Sequence, residues 1–119
     1  MIFKYNKLVR DKIVKNIQQK GHSAIYSVLD DKQYFEELDK KLIEEVNEFI
    51  EAHNEEEMAD IMEVIEAIIK QRGMSLKQIE EIKQKKREKS GSFNDKIFLV
   101  SVEEKDINEE NKDNNQEER

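Results

Sequence analysis

Cysteine, proline and tryptophan are absent from this chain of 119 residues, and glycine occurs only three times. The lack of cysteine excludes disulfide bonds and thiolate zinc sites. The two histidines, His22 and His53, do not have the spacing of a metal-binding pair, so a zinc site is not expected. The absence of proline, which breaks helices, favours a mostly helical chain.

Long apolar runs are absent as well. No segment approaches the length of a membrane span, and residues 1–5 lack a long apolar run, so we expect a cytoplasmic protein with no membrane contact. The formal charge of -7 argues against binding of a nucleic acid polymer or an anionic membrane, because both attract an excess of lysine and arginine. Nucleotides are not excluded, since a bound divalent metal can invert the sign of an acidic site.

The sequence has few apolar residues and many charged ones. Apolar side chains make up 36% of it and charged ones 41%, a balance typical of amphipathic helices with hydrated outer faces. One small domain over residues 1–102 is predicted, and its limited core favours a homo-oligomer that buries more surface. Residues 103–119 are acidic and rich in asparagine, which predicts a disordered tail.

Apolar residues at helical spacing, bounded by capping patterns, predict four helices. Asp30 with Gln33 and Asn54 with Glu57 are the cap-and-box pairs that begin the second and third helices. The helices are predicted at residues 6–20, 30–53 and 54–73, with the last one beginning at residue 75. Residues 23–28 and 97–100 are rich in β-formers and predict two short extended segments that could pair. The predicted fold is therefore an all-α helical bundle with two short extended segments.

Acidic residues recur at a distinctive spacing on the second and third helices. Glu45 with Glu48, and Glu57 with Asp60, each place two carboxylates three residues apart, on one side of a helix turn. Four carboxylates from two packed helices would form a cage of hard oxygen ligands for magnesium. Magnesium in such a setting works on phosphate esters or anhydrides.

Helical winding separates these acids from their neighbours. At about 100° per residue, Glu45 lies on the margin of the apolar stripe of its helix and Glu48 lies one step further around. Glu57 falls inside the apolar stripe of the third helix, with Asp60 on its flank. Carboxylates near a packing face are costly unless a cation or metal pairs with them. The acids that point away are Glu44, Glu51, Glu56 and Glu63.

A simpler interpretation of these acids stays open. Charged helix faces are usually hydrated, Glu57 could merely close the capping box with Asn54, and Asp39 also falls on the apolar side of its helix. Spacing alone does not decide between a metal site and hydrated or capping acids.

Four motifs contain or flank the acidic pattern. Residues 7–13 read KLVRDKI, residues 41–48 read KLIEEVNE, and residues 56–65 read EEMADIMEVI, followed by KREKSGSF at 86–93. In this order they closely resemble MazG-like all-α nucleoside triphosphate pyrophosphohydrolases, especially the small phosphoribosyl-ATP pyrophosphohydrolase-like members. The likeness covers residues 5–100, although Val14 stands where relatives often have proline and 90–93 read SGSF where they read RGGF.

The resemblance implies a function and a set of site residues. The activity would be magnesium-dependent hydrolysis of a nucleoside triphosphate between its α- and β-phosphates, with Mn²⁺ able to substitute, in a role in nucleotide-pool sanitation. The metal ligands would be Glu45, Glu48, Glu57 and Asp60. Glu45 is also the first candidate to orient or deprotonate the attacking water.

The resemblance also implies residues that contact phosphate. These would be Lys7, Arg10 and Lys86, and the alternative for them is ordinary surface charge, including an Arg10 and Asp11 neighbourhood that only stabilises the first helix. The loss of an arginine in the 90–93 motif could weaken phosphate contact. A rival function is therefore a non-catalytic helical module that binds a nucleotide or a partner. The nucleotide itself is not marked by any motif.

Overall fold

The computed structural model describes residues 1–105, and within that range the chain forms helices and no strand. The described helices are α1 (Ile13–Gln19), α2 (Asp31–Ala52), α3 (Glu55–Gln71) and α4 (Leu76–Ser90). The predicted all-α fold is confirmed. None of these helices has the length and apolar character needed to cross a membrane. The chain divides into two compact units, Met1–Leu76 with α1 to α3, and a second unit that starts at Lys77.

The predicted capping box at the start of α2 is present. The backbone N–H of Gln33 donates to Asp30 Oδ1 at 2.8 Å, and the backbone N–H of Asp30 donates to Gln33 Oε1 at 3.3 Å. The helix ends at His53, whose left-handed backbone has a φ of 51° and whose N–H donates to the Phe49 carbonyl at 2.7 Å. Both ends of α2 therefore match the sequence prediction.

The third helix follows after a connection of only two residues. The Asn54 side chain accepts a hydrogen bond from the Glu57 backbone N–H at 2.9 Å, which is the predicted cap. The helix ends before Gly73, which has a φ of 75° that an L side chain adopts only with strain. A connection this short makes α2 and α3 antiparallel neighbours, and the two helices pack against each other.

The first helix is shorter than predicted, because residues 6–12 do not continue it. Asn6 has a φ of 47°, outside the helical region, and Lys12 at the helix start makes no side-chain cap hydrogen bond. In this segment, Lys7 forms an ion pair with Glu44 of α2, and Arg10 forms one with Asp60 of α3. The prediction of a helix over residues 6–20 is therefore wrong at its N-terminal half.

The two predicted extended segments lie outside the helices, but they do not pair as strands. Residues 23–28 and 97–100 form no strand, and Ile25 and Phe98 are exposed. Short strands need a partner and an apolar face to cover, so β-forming residues alone do not produce them. Residues 103–105 of the predicted tail have no helix or strand and are exposed. The remainder of that prediction lies outside the described residues.

The buried apolar side chains lie on α2 and α3. Leu38 is 3% exposed, and Val64 and Ile69 are each 8% exposed; these are the buried hydrophobic residues in the described part of the chain. A core this small leaves other apolar side chains of the same helices open, among them Ile43 and Met62. The α2–α3 hairpin is thus the scaffold on which the acidic motifs are placed.

Candidate metal centre

Three of the four predicted metal ligands meet between α2 and α3. Glu45 from α2, and Glu57 and Asp60 from α3, each offer one carboxylate oxygen, and these oxygens lie within 4.8 Å of one another. Glu57 and Asp60 share one side of α3 because they are three residues apart. The antiparallel packing of the two helices brings Glu45 to the same place. The arrangement is a cluster of hard oxygen atoms suited to a divalent cation.

Two of these carboxylates are buried without full hydrogen bonding. Glu45 is only 6% exposed, and its Oε2 atom is buried with no hydrogen-bond partner. Glu57 Oε2, on α3, is also buried and has no hydrogen-bond partner. An unpartnered buried carboxylate oxygen is costly, and a neighbouring negative charge adds to the cost. A divalent cation between the helices would remove both penalties, so these residues fit a metal ion.

Glu48, the fourth predicted ligand, lies close to Glu45 but outside the group of three. It is half-buried one helix turn further along α2. Burial raises the pKa of the Glu45 carboxyl, Lys41 opposes this rise, and the neighbouring Glu48 carboxylate adds to it. The net effect is a raised pKa for Glu45. Glu48 therefore affects the pKa of Glu45 without belonging to the group of three acids, and its role as a ligand stays a prediction.

Lys41 is a cation of this site that the sequence analysis missed. Its Nζ donates to Glu44 Oε2 at 3.1 Å and lies 3.2 Å from Glu45 Oε1, and its side chain is 16% exposed. Burial lowers the pKa of Lys41, but the hydrogen bonds to Glu44 and Glu45 outweigh it, so the net pKa is raised. The signal was present in the sequence, since residues three and four apart face each other on a helix.

Glu44 is not the outward-facing acid that winding predicted. Its side chain is 29% exposed and forms ion pairs with Lys7 at 3.1 Å and with Lys41 at 3.1 Å. Burial raises the pKa of Glu44, yet the hydrogen bonds from Lys7 and Lys41 outweigh burial and hold it below its usual value. The winding was misleading because the N-terminal segment covers this side of α2. Glu51 and Glu56 are exposed as predicted. Glu63 is exposed too, but it lines the same cavity as Arg10 and Asp60 and so does not point away from the site.

Arg10 contacts a member of the cluster directly. Its Nη2 donates to Asp60 Oδ1 at 2.7 Å, and this hydrogen bond is the main reason that the pKa of Arg10 is raised. The alternative in which Arg10 serves only its neighbour Asp11 and the first helix is therefore wrong. Lys7 pairs with Glu44 instead of a cluster member. Phosphate contact by either residue stays a prediction.

A cleft of about 430 Å³ lies beside the cluster. Its volume is in the range of small-molecule sites. Apolar side chains such as Leu8 and Val64 form part of its wall, and Glu63 reaches its edge. Its charged lining includes Arg10, Lys41, Glu45 and Asp60. With Lys12, Asp11 and Glu63 included, three cations and four acids line one cavity, a mixture of charges that suits a metal-bound anion.

The last predicted phosphate contact, Lys86, is on α4 in the second unit and is exposed. Its part in phosphate binding stays a prediction, as does the effect of the altered 90–93 motif. Comparison with protein-family models, curated proteins and solved structures finds no match to this chain. The family resemblance therefore remains an inference from the motifs, and the site stands on its own geometry.

Proposed function

We propose that this protein is a magnesium-dependent nucleoside triphosphate pyrophosphohydrolase. The observation that carries the proposal is the pair of buried, unpartnered oxygens on Glu45 and Glu57, in a cluster completed by Asp60. Carboxylate oxygens suit Mg²⁺, and Mn²⁺ accepts the same ligands. The order of the motifs around these acids supports the nucleotide substrate, and cleavage would fall between the α- and β-phosphates.

Each residue of the site has a role that follows from its position. Glu45, Glu57 and Asp60 would hold the ion, and Glu48, one helix turn along α2 from Glu45, would be the fourth ligand. An ion bound there supplies charge neutralisation on the phosphate oxygens and activation of a water molecule. Glu45, which is buried beside the other two acids, would also orient or deprotonate that water.

The cations of the cleft complete the site. Arg10 and Lys41 both line the cavity, so both can donate hydrogen bonds to phosphate oxygens of a bound nucleotide. Each already neutralises a cluster carboxylate, Asp60 for Arg10 and Glu45 for Lys41. The products would be a nucleoside monophosphate and pyrophosphate, which fits a role in removing unwanted nucleotides from the cellular pool.

Pyrophosphate release from a panel of nucleoside triphosphates with Mg²⁺ tests the proposal. Glu45→Gln, Glu57→Gln and Asp60→Asn should each reduce release at least about 100-fold, because each removes a metal-binding charge. Glu56→Gln is the matched control, since Glu56 is an exposed acid adjacent to Glu57. Undiminished release in the three cluster variants would overturn the assignment.

One observation favours a second candidate, a non-catalytic module that binds a nucleotide or a partner. Arg10 and Lys41 are already engaged with Asp60 and Glu45, so internal ion pairs compensate part of the cluster charge without a metal. The same panel separates the two functions. Nucleotide binding without pyrophosphate release across all substrates would favour the module.

We also propose that the protein works as a homo-oligomer. Apolar side chains of α2 and α3 remain open to solvent, with Ile43 63% exposed, Ile50 60% exposed and Met62 62% exposed. Contiguous apolar surface on paired helices is typical of an association face, and a second copy supplies a matching one.

A further inference from the structure

We infer that Lys41 determines which divalent cation the cluster accepts, because it holds one oxygen of Glu45 and leaves only the other as a ligand. The inference rests on the proposed metal centre and assigns a positioning role to a residue outside the ligand set. It concerns ion selectivity, which the proposed hydrolysis does not by itself specify.

The two oxygens of Glu45 have different environments. Oε1 lies 3.2 Å from the Lys41 ammonium, whereas Oε2 is buried without a hydrogen-bond partner. The oxygen that remains for a cation is therefore Oε2. A carboxylate fixed in this way presents a single ligand atom in a defined direction.

The ammonium group is itself held from its other side. Lys41 Nζ is 3.1 Å from Glu44 Oε2, and Glu44 Oε1 in turn is 3.1 Å from Lys7. The Lys41 side chain is 16% exposed, compared with 73% for Lys40, which makes a similar pair with Glu37 at 3.2 Å. Shielding from water makes the Lys41 contacts stronger than the surface pair. Lys41 is thus a fixed support for Glu45.

A single-oxygen ligand distinguishes between divalent cations. Mg²⁺ takes six ligands in near-ideal octahedral geometry at about 2.0–2.1 Å, which favours carboxylates that bind through one oxygen. Ca²⁺ takes six to eight ligands at about 2.3–2.6 Å and often binds a carboxylate through both oxygens. Because the Lys41 ammonium lies against Oε1 of Glu45, the two-oxygen mode is disfavoured. The cluster should therefore prefer Mg²⁺, or the similar Mn²⁺, to Ca²⁺.

The positive charge of Lys41 also affects cation binding directly, and this effect can be removed by comparing Mg²⁺ with Ca²⁺. A lysine near the cluster repels every divalent cation, and the repulsion depends on charge, which Mg²⁺ and Ca²⁺ share. The ratio of their dissociation constants cancels this repulsion. A change in the ratio therefore reports the positioning of Glu45.

The test measures cation binding to the metal-free full chain without nucleotide. Electron paramagnetic resonance of free Mn²⁺ gives the Mn²⁺ affinity, and displacement by Mg²⁺ or Ca²⁺ gives the other two dissociation constants. In the wild type, Ca²⁺ should bind more weakly than Mg²⁺. Lys41→Met should reduce the ratio of the Ca²⁺ to the Mg²⁺ constant by about tenfold, the usual size of a supporting contact at a metal site. Lys40→Met is the matched control and should leave the ratio unchanged.

A second variant covers the case in which Lys41→Met does not fold, as judged by circular dichroism. Glu44→Gln keeps Lys41 but weakens its outer anchor, and it should lower the ratio by a smaller factor. If a folded variant without the Lys41–Glu45 contact keeps the wild-type ratio of the Ca²⁺ to the Mg²⁺ dissociation constant, the inference is overturned. The proposed hydrolysis is not affected by that result. Absence of divalent cation binding in the wild type overturns the metal centre and the proposed function together.

Discussion

Arg10 Nη2 and Asp60 Oδ1 are 2.7 Å apart, although 50 positions separate the two residues in the sequence. The pair joins the segment before α1 to α3 at a member of the candidate metal cluster. Asp60 thus has two possible cationic partners, a guanidinium that is already bound and a metal ion. Arg10 neutralises Asp60 in the metal-free protein, and under the proposed function it would contact a phosphate oxygen once a metal ion bound that carboxylate.

Arg10→Ala should impair activity far more than stability. The two side chains are 55% and 37% exposed, and a pair in contact with water contributes less than about 1 kcal/mol to the free energy of unfolding. Pyrophosphate release should fall at least about tenfold, because a charged phosphate contact is lost. Urea denaturation and the release assay measure the two effects. Lys15→Ala, which removes an exposed lysine of α1, is the control, and a large stability loss with full activity would contradict the prediction.

Magnesium should stabilise the fold through the cluster. A cation that binds only the folded state at 100 times its dissociation constant adds about 2.7 kcal/mol to the free energy of unfolding. Differential scanning fluorimetry should therefore show a rise in Tm of several degrees with Mg²⁺. Asp60→Asn should remove the rise and Glu56→Gln should keep it. An equal rise in all three proteins would show that the cation acts elsewhere.

Glu44 and Glu45 should make opposite contributions to the pH dependence of stability in the metal-free protein. The pKa of Glu44 is lowered from its usual value of 4.5, so its ion pairs stabilise the fold above that pH and the contribution is lost as pH falls through the folded-state pKa. The pKa of Glu45 is raised from 4.5, so the folded state loses stability as pH rises from that value through the raised pKa.

Two variants separate these contributions in urea denaturation without metal. Glu44→Gln should be less stable than the wild type at pH 7 by up to about 1 kcal/mol, with the difference shrinking in acid. Glu45→Gln should be more stable than the wild type at pH 7, with its advantage shrinking as pH falls toward 4.5. Glu51→Gln, at an exposed acid of the same helix, is the control. Parallel pH profiles for the first two variants would contradict the prediction.

Self-association should depend on the open apolar face of α3. Met62 is 62% exposed and has Met58 and Ile65 beside it at helical spacing. Met62→Glu places a charge in that face and should shift sedimentation velocity profiles from oligomer to monomer. Gln19→Glu, at an exposed position of α1, adds the same charge elsewhere and should leave the oligomer intact. A monomeric wild type at micromolar concentration would contradict the proposed association.

The helical part of the site was predictable because it depends on local rules. Caps at Asp30 and Asn54 fixed where α2 and α3 begin, and winding then placed Glu45, Glu57 and Asp60 near the packing faces. These relations need only the helix period and the bonds of a few neighbouring residues.

The ion pairs of the N-terminal segment were not predictable in the same way. The contacts of Lys7 with Glu44 and of Arg10 with Asp60 depend on a non-helical path that begins at the left-handed Asn6. Periodicity instead continues the helix through that segment. The suggested pairing of residues 23–28 with 97–100 is absent for a related reason, because a strand is specified by its partner as much as by its own residues.

The two-residue connection between α2 and α3 has a consequence for how the site can change. Because only His53 and Asn54 connect the two helices, the chain restricts how far α3 can rotate about its axis relative to α2. Successive residues of a helix are about 100° apart around its axis. One added residue in the connection would loosen the restriction and allow the acids of α3 to turn relative to α2. The placement of Glu57 and Asp60 opposite Glu45 therefore depends on the length of this turn.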